Sequence, residues 1–301
     1  MPKHKAPYMV HTSFAHPLYQ LEIAAANNDY RTLNVNSLPA STKDVDASRA
    51  LEEEHPDTLL RLGRQGLEKI RKIHPMKERI AQNEGTHFLE TEADVLDASR
   101  LYLLHPVNIA IGQLLRGGIK LVCKREHTAS NTARTDILWV HQHGEDTTDV
   151  AVLEFKNTYI LHENEFRAAM GSDDQAEGMV YKAMGTGSEK TLLNGNAIVV
   201  SKQARKYHQA LGVADVALFD WNNMFVFDFS GMSETVAHPK LARGIWFSEA
   251  GQNHRNHETF RAFLLGFLIR ALHRLRLTPG VKPKRRYYSL TLSSSVNAKS
   301  P

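Results

Sequence analysis

The chain has 301 residues, of which 42% are hydrophobic, and a formal net charge of +4 at pH 7. This length accommodates one large domain or two small ones, and the composition is that of an ordinary globular protein. The single cysteine, Cys123, excludes an intrachain disulfide and a cysteine-rich zinc site, so a reducing, intracellular compartment is expected. No apolar run approaches the roughly 18 residues of a membrane helix, and no membrane partner is expected.

The N-terminal third of the chain predicts helices. Residues 1–45 show little periodicity and are expected to form an irregular arm. Residues 56–73 carry apolar side chains at helical spacing, which predicts a helix. Gly63 and Gly66 oppose that helix, since each costs roughly 1 kcal/mol relative to alanine.

Further helices and a first strand precede the middle of the chain. Residues 90–104 predict a helix for which Thr91 can act as the N-terminal cap. Pro106 interrupts this pattern, and a short helix is expected over residues 107–115. Residues 119–123 have the pattern of a β-strand.

A β-hairpin is predicted over residues 132–157. Two apolar runs, 137–140 and 150–155, flank the polar loop 141–149, which contains a glycine. The rest of the chain alternates between helical and strand patterns. The predicted elements are helices over 163–184 and 192–211, a hairpin of 214–220 and 224–229 around asparagines that tolerate positive φ, and a core helix over 258–275.

The order of these elements predicts the domain organisation. Helices come first, then three strands, more helices, a two-stranded hairpin and a last helix, with no internal repeat or clear linker. We therefore expect one α/β domain over residues 46–278 with an N-terminal helical extension. Residues 279–301 form a basic, Ser-rich tail that is expected to be disordered.

Charge is unevenly distributed along the chain. Residues 44–57 are acidic, whereas residues 255–286 are dense in Arg, Lys and His. A basic region of this kind suits a polyanionic partner, although a solvated helix face followed by a basic tail explains it equally well. The run Lys282, Lys284, Arg285 and Arg286 is typical of a nuclear import signal or a phosphate-binding tail, so a nuclear location is favoured over a cytoplasmic one.

Three charged residues stand where the hairpin should be apolar: Asp136, Glu154 and Lys156. Side chains alternate along a strand, so Glu154 and Lys156 share a face. If the two strands are neighbours, two carboxylates and an ammonium meet at one end of a sheet. Charges on a half-buried strand are costly unless they are paired or bind a metal.

This arrangement has two interpretations. Carboxylates on adjacent strands suit a hard cation such as Mg²⁺, which can activate a water molecule while a nearby lysine stabilises charge on a phosphate. The alternative is a cross-strand salt bridge on a solvated face. Two features outside the hairpin favour the first: Gln203 and Tyr207 lie four residues apart on one helix face, and Glu92 lies on the apolar face of an earlier helix.

In this order, the helix Glu, strand Asp, strand Glu-x-Lys and helix Gln-x-x-x-Tyr resemble the PD-(D/E)xK nuclease superfamily, in particular its RecB-like branch. The motifs EADV, YLLHPVN, R-x-D and LEFKN also resemble fungal members of that superfamily. The likeness covers about residues 88–230. Two departures are Thr135, which stands where the family has Pro, and the 46 residues between Lys156 and Gln203, which require a helical insertion.

The resemblance implies a restriction-endonuclease-like core with a mixed central β-sheet flanked by helices. It implies that Asp136, Glu154 and the Phe155 carbonyl bind Mg²⁺ or Mn²⁺, with Glu92 holding the metal or its water. Glu90 and Asp94 compete with Glu92 for this role, and helical phase selects Glu92.

The remaining roles follow from the same resemblance. Lys156 would be the catalytic lysine, Gln203 would lie near the active site, and Tyr207 would support the fold or the nucleic-acid backbone. The expected function is a metal-dependent nuclease that hydrolyses phosphodiester bonds with metal-activated water, in DNA rather than RNA. The alternative is a nuclease-like protein that binds or organises nucleic acid with little or no turnover.

Overall fold

A computed structural model describes residues 9–24, 30–33, 40–73, 76–81, 87–115, 118–130, 133–233 and 239–277. The helices are α1 (Val10–Ser13), α2 (Ala40–Lys43), α3 (Asp57–Ile73), α4 (Glu92–Ser99), α5 (His105–Leu114), α6 (Glu163–Arg167), α7 (Ala176–Met184), α8 (Gly195–Leu211) and α9 (Phe260–Arg274). The strands are β1 (Glu22–Ile23), β2 (Leu51–Glu53), β3 (Phe88–Leu89), β4 (Lys120–Ser130), β5 (Ala133–His143), β6 (Asp146–Phe155), β7 (Met170–Gly171), β8 (Asp215–Phe219), β9 (Met224–Asp228) and β10 (Ala242–Phe247).

Eight of these strands form one mixed sheet in the order β4-β5-β6-β8-β9-β10-β2-β7. β6 pairs with β8 in parallel, and β2 pairs in parallel with β10 and β7, while the other neighbours are antiparallel. The predicted class, α/β with a mixed central sheet flanked by helices, is confirmed. No helix in the described ranges has the length and apolar character needed to cross a membrane.

Helices cover both faces of the sheet, because the strands are apolar on both sides. On one face, α3, α4, α5 and α9 pack against inward side chains such as Leu153 and Phe155 of β6. On the other face, α6, α7 and α8 pack against Val152 of β6 and Leu138 of β5. By strand alternation, Glu154 lies on the α8 face.

The two glycines that disfavoured the first long helix have a packing reason. α3 forms over residues 57–73 as predicted, and a Cβ at Gly63 would collide with the carbonyl oxygen of Ala262 in α9. A Cβ at Gly266 of α9 would collide with the Leu59 carbonyl oxygen in the same way. The helices therefore cross backbone to backbone, and this close approach requires glycine on each helix.

The expected break at Pro106 is replaced by a widened helical turn. α4 continues through a π-helix, Arg100–Leu104, into α5, and the His105 N–H donates to the Arg100 carbonyl. Proline has no N–H for the carbonyl four residues before it. That oxygen, of Tyr102, accepts a 2.6 Å hydrogen bond from Nε of the buried Arg261 instead.

Arg261 also ties down the described part of the N-terminal arm. Its Nη1 donates to the carbonyl oxygens of Ser13 and His16, both at 2.9 Å. Val10 and Phe14 of this segment are fully buried against the helical face of the core. This part of the arm is thus packed on the domain.

Several predicted elements differ from the structure. The single helix over 163–184 is wrong: α6 ends at Arg167, and Met170–Gly171 forms the edge strand β7 before α7. The predicted loop 141–149 is mostly strand, because β5 and β6 run out to a turn at Gly144. In the β8–β9 turn, Trp221 has the positive φ of 75°, not the asparagines that follow it.

Candidate functional site

Hairpin register brings Asp136 and Glu154 together at the carboxyl end of β6. Ile137 of β5 pairs with Leu153 of β6, which places Asp136 beside Glu154 on the neighbouring strand. Oδ2 of Asp136 accepts a 2.8 Å hydrogen bond from the Phe155 N–H. The backbone of one strand thus orients the carboxylate of the other.

Lys156 lies in the middle of the group. Its Nζ lies 2.9 Å from Oε1 of Glu154 and 3.6 Å from Oε2 of Glu92. Its N–H donates to the Phe219 carbonyl at 2.8 Å, which fixes the residue at the end of the sheet. The side chains of Lys156 and Glu154 are only 4% and 8% exposed, so this is not a salt bridge on a solvated face. We call Asp136, Glu154, Glu92 and Lys156 the carboxylate cluster.

The start of α4 delivers Glu92 to this cluster. The Thr91 side chain caps the helix by accepting a hydrogen bond from the Asp94 N–H. In turn, the Asp94 carboxylate accepts one from the Thr91 N–H. The Glu90 carbonyl oxygen accepts a 2.9 Å hydrogen bond from Nδ2 of Asn157. Of the three competing acids, Glu92 is therefore the one whose carboxylate lies against Lys156, with its side chain 47% exposed.

Helix α8 packs against the cluster on the face of the sheet that carries Glu154. Tyr207 is buried, and burial together with the negative charge of Glu154 raises its pKa well above the ordinary value. Gln203 lies one turn earlier, and its Oε1 is buried without a hydrogen-bond partner among the described residues. The structure therefore brings Tyr207 to the cluster and places Gln203 on the same face of α8.

The electrostatics of the cluster favour protonation of two of its acids, Asp136 and Glu92. Burial, reinforced by Glu154, raises the pKa of Asp136 to about 7. Burial also raises the pKa of Glu92, although the charge of Lys156 opposes that shift. For Lys156, burial favours the neutral amine, but Glu154 and Glu92 outweigh it and raise the lysine's pKa. The ammonium is therefore held in its charged form.

The cluster carries more negative charge than its own residues neutralise. When ionised, three carboxylates and one ammonium leave two negative charges, which a divalent cation would match. Oε2 of Glu154 is buried, and the Tyr207 hydroxyl is the group near enough to interact with this carboxylate from α8. These features fit a hard cation that takes two carboxylates and keeps several waters. Within the described residues, no group of three or more His, Cys, Asp or Glu side chains is arranged to hold a metal ion.

Other predicted site residues are placed differently or lie elsewhere. The Phe155 side chain packs in the core on the α9 face of the sheet, and its backbone borders the cluster. Lys282, Lys284, Arg285 and Arg286 lie outside the described residues.

One positioning residue was missed by the sequence analysis. Asp220 accepts backbone N–H bonds from Ile160 and Leu161 and, at the β8–β9 turn, from Asn222 and Asn223. It thereby fixes the chain that follows Lys156. An Asp at a strand end before two asparagines is a signal for this kind of turn.

Comparison with known proteins gives no match to a family model, to a curated protein or to a solved structure.

Proposed function

We propose that this protein is a Mg²⁺- or Mn²⁺-dependent nuclease of the PD-(D/E)xK type, built on a restriction-endonuclease-like core. One observation carries the proposal: three carboxylates, those of Asp136, Glu154 and Glu92, converge on the single ammonium of Lys156 at the carboxyl end of β6. Charge of this kind is costly in a protein interior unless a cation compensates it.

In this proposal Asp136 and Glu154 hold the cation, with the Phe155 carbonyl as a further ligand. A bound divalent cation supplies Lewis-acid activation of a phosphate and lowers the pKa of water. A hydrogen bond from the Phe155 N–H fixes the orientation of the Asp136 carboxylate. Because its side chain is only partly buried, this carboxylate remains open to exchange a proton for a metal.

Lys156 supplies positive charge next to the scissile phosphate. Since its pKa is raised, it acts as an ammonium donor and not as a general base. Glu92 orients that ammonium from the side opposite Glu154, at 3.6 Å. A fixed donor that need not reorganise as charge develops is the largest common source of transition-state stabilisation. Gln203 offers an unpartnered amide oxygen nearby for a water or a nucleotide.

The substrate is a nucleic acid, with DNA favoured over RNA. The net positive charge of the chain and the basic run Lys282–Arg286 suit a phosphate backbone, which dominates nucleic-acid affinity. Nothing in the cluster reads a base, so cleavage with little sequence preference is expected.

A second function is favoured by a specific observation. The Lys156 ammonium is already paired with two carboxylates, and the described residues contain no complete ligand set. A protein that keeps this fold to bind or organise nucleic acid, with little turnover, would show the same geometry.

Cleavage assays with matched variants test the proposal. Wild-type protein is incubated with labelled single- and double-stranded DNA and RNA, with Mg²⁺, with Mn²⁺, or with EDTA. Cleavage that requires the metal and falls by at least about 100-fold in Glu154→Gln and in Lys156→Ala is expected, the loss typical of removing one charge-stabilising group. Glu145→Gln, an exposed acid at the β5–β6 turn, is the control and should cleave normally.

The outcomes separate the two functions. Equal cleavage by wild type, Glu154→Gln and Lys156→Ala would contradict the assignment of this site. Metal-dependent nucleic-acid binding without cleavage in any buffer would favour the binding function.

A further inference from the structure

A cavity of about 320 Å³ lies between the π-helix, α5 and the edge strand β4. Its polar lining consists of Arg100, His105, Asn108 and Arg125, with Cys123 at its wall, and no described carboxylate lines it. The volume is at the lower end of the range for ligand pockets, about 300 Å³ and above. A pocket lined by donors and by no acid is suited to an anion.

The donors of this cavity are positioned but not satisfied. Nη1 of Arg100 donates to the Asp97 carboxylate, while its Nε is buried and has no partner among the described residues. Asn108 accepts a 2.9 Å hydrogen bond from Nε1 of Trp139 through its Oδ1, and its amide NH₂ bonds the Cys123 sulfur with one of its two N–H groups, which leaves the other for the cavity. An ion pair thus holds Arg100, and a neutral hydrogen bond holds Asn108, at the wall of the cavity.

Arg125 completes the set from the other wall. In the described part of the chain it forms no salt bridge, and its side chain is exposed. An arginine offers a planar fork of N–H donors that matches phosphate geometry. Together with Arg100, it gives the cavity two guanidinium groups whose donors are not all used within the protein.

The cavity is tied to the carboxylate cluster through both of its walls. Arg100 follows Glu92 by eight residues on one helical run, about 12 Å along the axis. On the other wall, Arg125 pairs with Ile137 and lies on the α5 face, whereas the neighbouring Asp136 points to the α8 face, so a strand in contact with both passes over this end of the sheet. A nucleic-acid strand places one phosphate about every 3.4 Å along a duplex axis, so both positions fall within a few nucleotides of each other.

The helical run from α4 to α5 is irregular where it borders the cavity. The π-helix that begins at Arg100 is a wide turn caused by Pro106, and it brings Arg100 and Leu104 to the cavity wall. Turns of this kind inside α-helices frequently lie at functional sites. The widening is therefore consistent with a binding role for the cavity.

We propose that this cavity binds a backbone phosphodiester of the nucleic acid, a few nucleotides from the phosphate presented to the carboxylate cluster. This inference rests on the proposed nucleic-acid substrate. Arg100 and Arg125 contact the phosphate oxygens, and Asn108 donates from its amide. The contact sets where a strand lies, and carries no base specificity.

Equilibrium binding without cleavage tests the inference. Affinity for a labelled single-stranded oligonucleotide is measured in EDTA over a series of salt concentrations, for wild type, Arg125→Gln and Arg100→Gln. Arg61→Gln, an exposed arginine on α3, makes the same charge change away from the cavity. Arg125→Gln should weaken binding at least about tenfold, the loss of one charged hydrogen bond, and should lower the salt slope by about 0.7, the value for one phosphate contact on a single strand. The control should bind like wild type.

Three results would overturn the inference. They are equal weakening by Arg61→Gln, unchanged affinity in Arg125→Gln, and wild-type protein that does not bind the oligonucleotide. Thermal unfolding with inorganic phosphate tests the other source of the same chemistry. Stabilisation of wild type but not of Arg125→Gln, with oligonucleotide affinity unchanged, would assign the cavity to free phosphate and also contradict the inference. Loss of binding in Arg125→Gln by a protein that never cleaves would support the cavity and refute only the nuclease.

Discussion

Two groups of buried charge lie at opposite ends of the central sheet, and they are neutralised differently. At the amino end of β8, Asp215 and Asp228 face each other and are held by Arg270 and Arg274 of α9. We call these four residues the arginine cluster. At the carboxyl end of β6, the carboxylate cluster has one ammonium for three acids.

The difference is visible in the protonation of the acids. Burial opposes ionisation of both acids in the arginine cluster: it raises the pKa of Asp215 despite the two arginines, whereas Arg270 and Arg274 hold the pKa of Asp228 below the ordinary value. In the carboxylate cluster, burial raises the pKa of Asp136 to about 7, and Lys156 does not compensate for it. Each acid of the arginine cluster is thus paired with arginines of the chain, whereas the acids of the carboxylate cluster share one ammonium.

The largest expected effect is the loss of one acid from the arginine cluster. Asp228→Asn leaves three arginines, including Arg243, with too little negative charge around them. Breaking a buried ion pair in this way costs about 3–5 kcal/mol. Urea denaturation should therefore show a loss of that size. A change below about 1 kcal/mol would mean that the arginine cluster is not the stabilising one.

An intermediate effect is expected where α9 crosses α3, because this crossing sets the position from which Arg270 and Arg274 reach the sheet. Gly266→Ala places a methyl group against the Leu59 carbonyl oxygen. Overpacking of this kind costs about 1–3 kcal/mol in the free energy of unfolding.

Gly112→Ala is the control for the crossing. Gly112 lies on the exposed side of α5 with nothing near its Cβ, so alanine there should stabilise the protein by about 1 kcal/mol. If both alanine variants gain stability in thermal unfolding, the backbone contact between α3 and α9 does not constrain the domain.

The smallest effect has the opposite sign and belongs to the carboxylate cluster. The pKa of Asp136 is raised from 3.8 to about 7, so the folded state keeps a proton that the unfolded chain releases between these values. The contribution of Asp136 to stability therefore falls as pH rises through this window. The full shift corresponds to at most about 4 kcal/mol, but solvent screens this partly exposed carboxylate and asparagine accepts a weaker hydrogen bond from the Phe155 N–H. At pH 8 without metal, Asp136→Asn should therefore be more stable than wild type by about 1 kcal/mol, and the gain should vanish near pH 4.

Chemical denaturation across that pH range measures the effect, with Asp146→Asn at the exposed β5–β6 turn as the control. If Asp136→Asn is instead less stable than wild type at pH 8, the ionised Asp136 stabilises the fold, as the acids of the arginine cluster do, and the comparison fails.

Elements with long, regular patterns were predictable from the sequence. α3, α8, α9 and the β8–β9 hairpin form close to their predicted positions, because their apolar spacing identifies them locally. β2 and β10 were missed. Leu51–Glu53 is short and acidic, and Ala242–Phe247 includes Arg and Gly, so they form strands only because they pair with each other and their neighbours.

The candidate site divides in the same way. Asp136, Glu154 and Lys156 could be grouped from the sequence because a hairpin fixes their register locally. The contact of Glu92 with Lys156 depends on where α4 packs, and the Arg261 bond to Tyr102 joins residues far apart in sequence. Contacts between residues so far apart produce no periodic pattern in the sequence, so the sequence could not predict them.

Metal binding in the absence of nucleic acid tests the central claim most directly. Mn²⁺ is titrated into metal-free wild-type protein and into the Asp136→Asn, Glu154→Gln double variant at pH 8, and heat is measured. We predict one site per chain in wild type and none in the double variant. Wild-type protein should also gain stability with rising Mn²⁺, since a ligand that binds only the folded state raises its stability. Equal heats in both proteins, or no binding to wild type, would contradict the claim that this cluster is completed by a divalent cation.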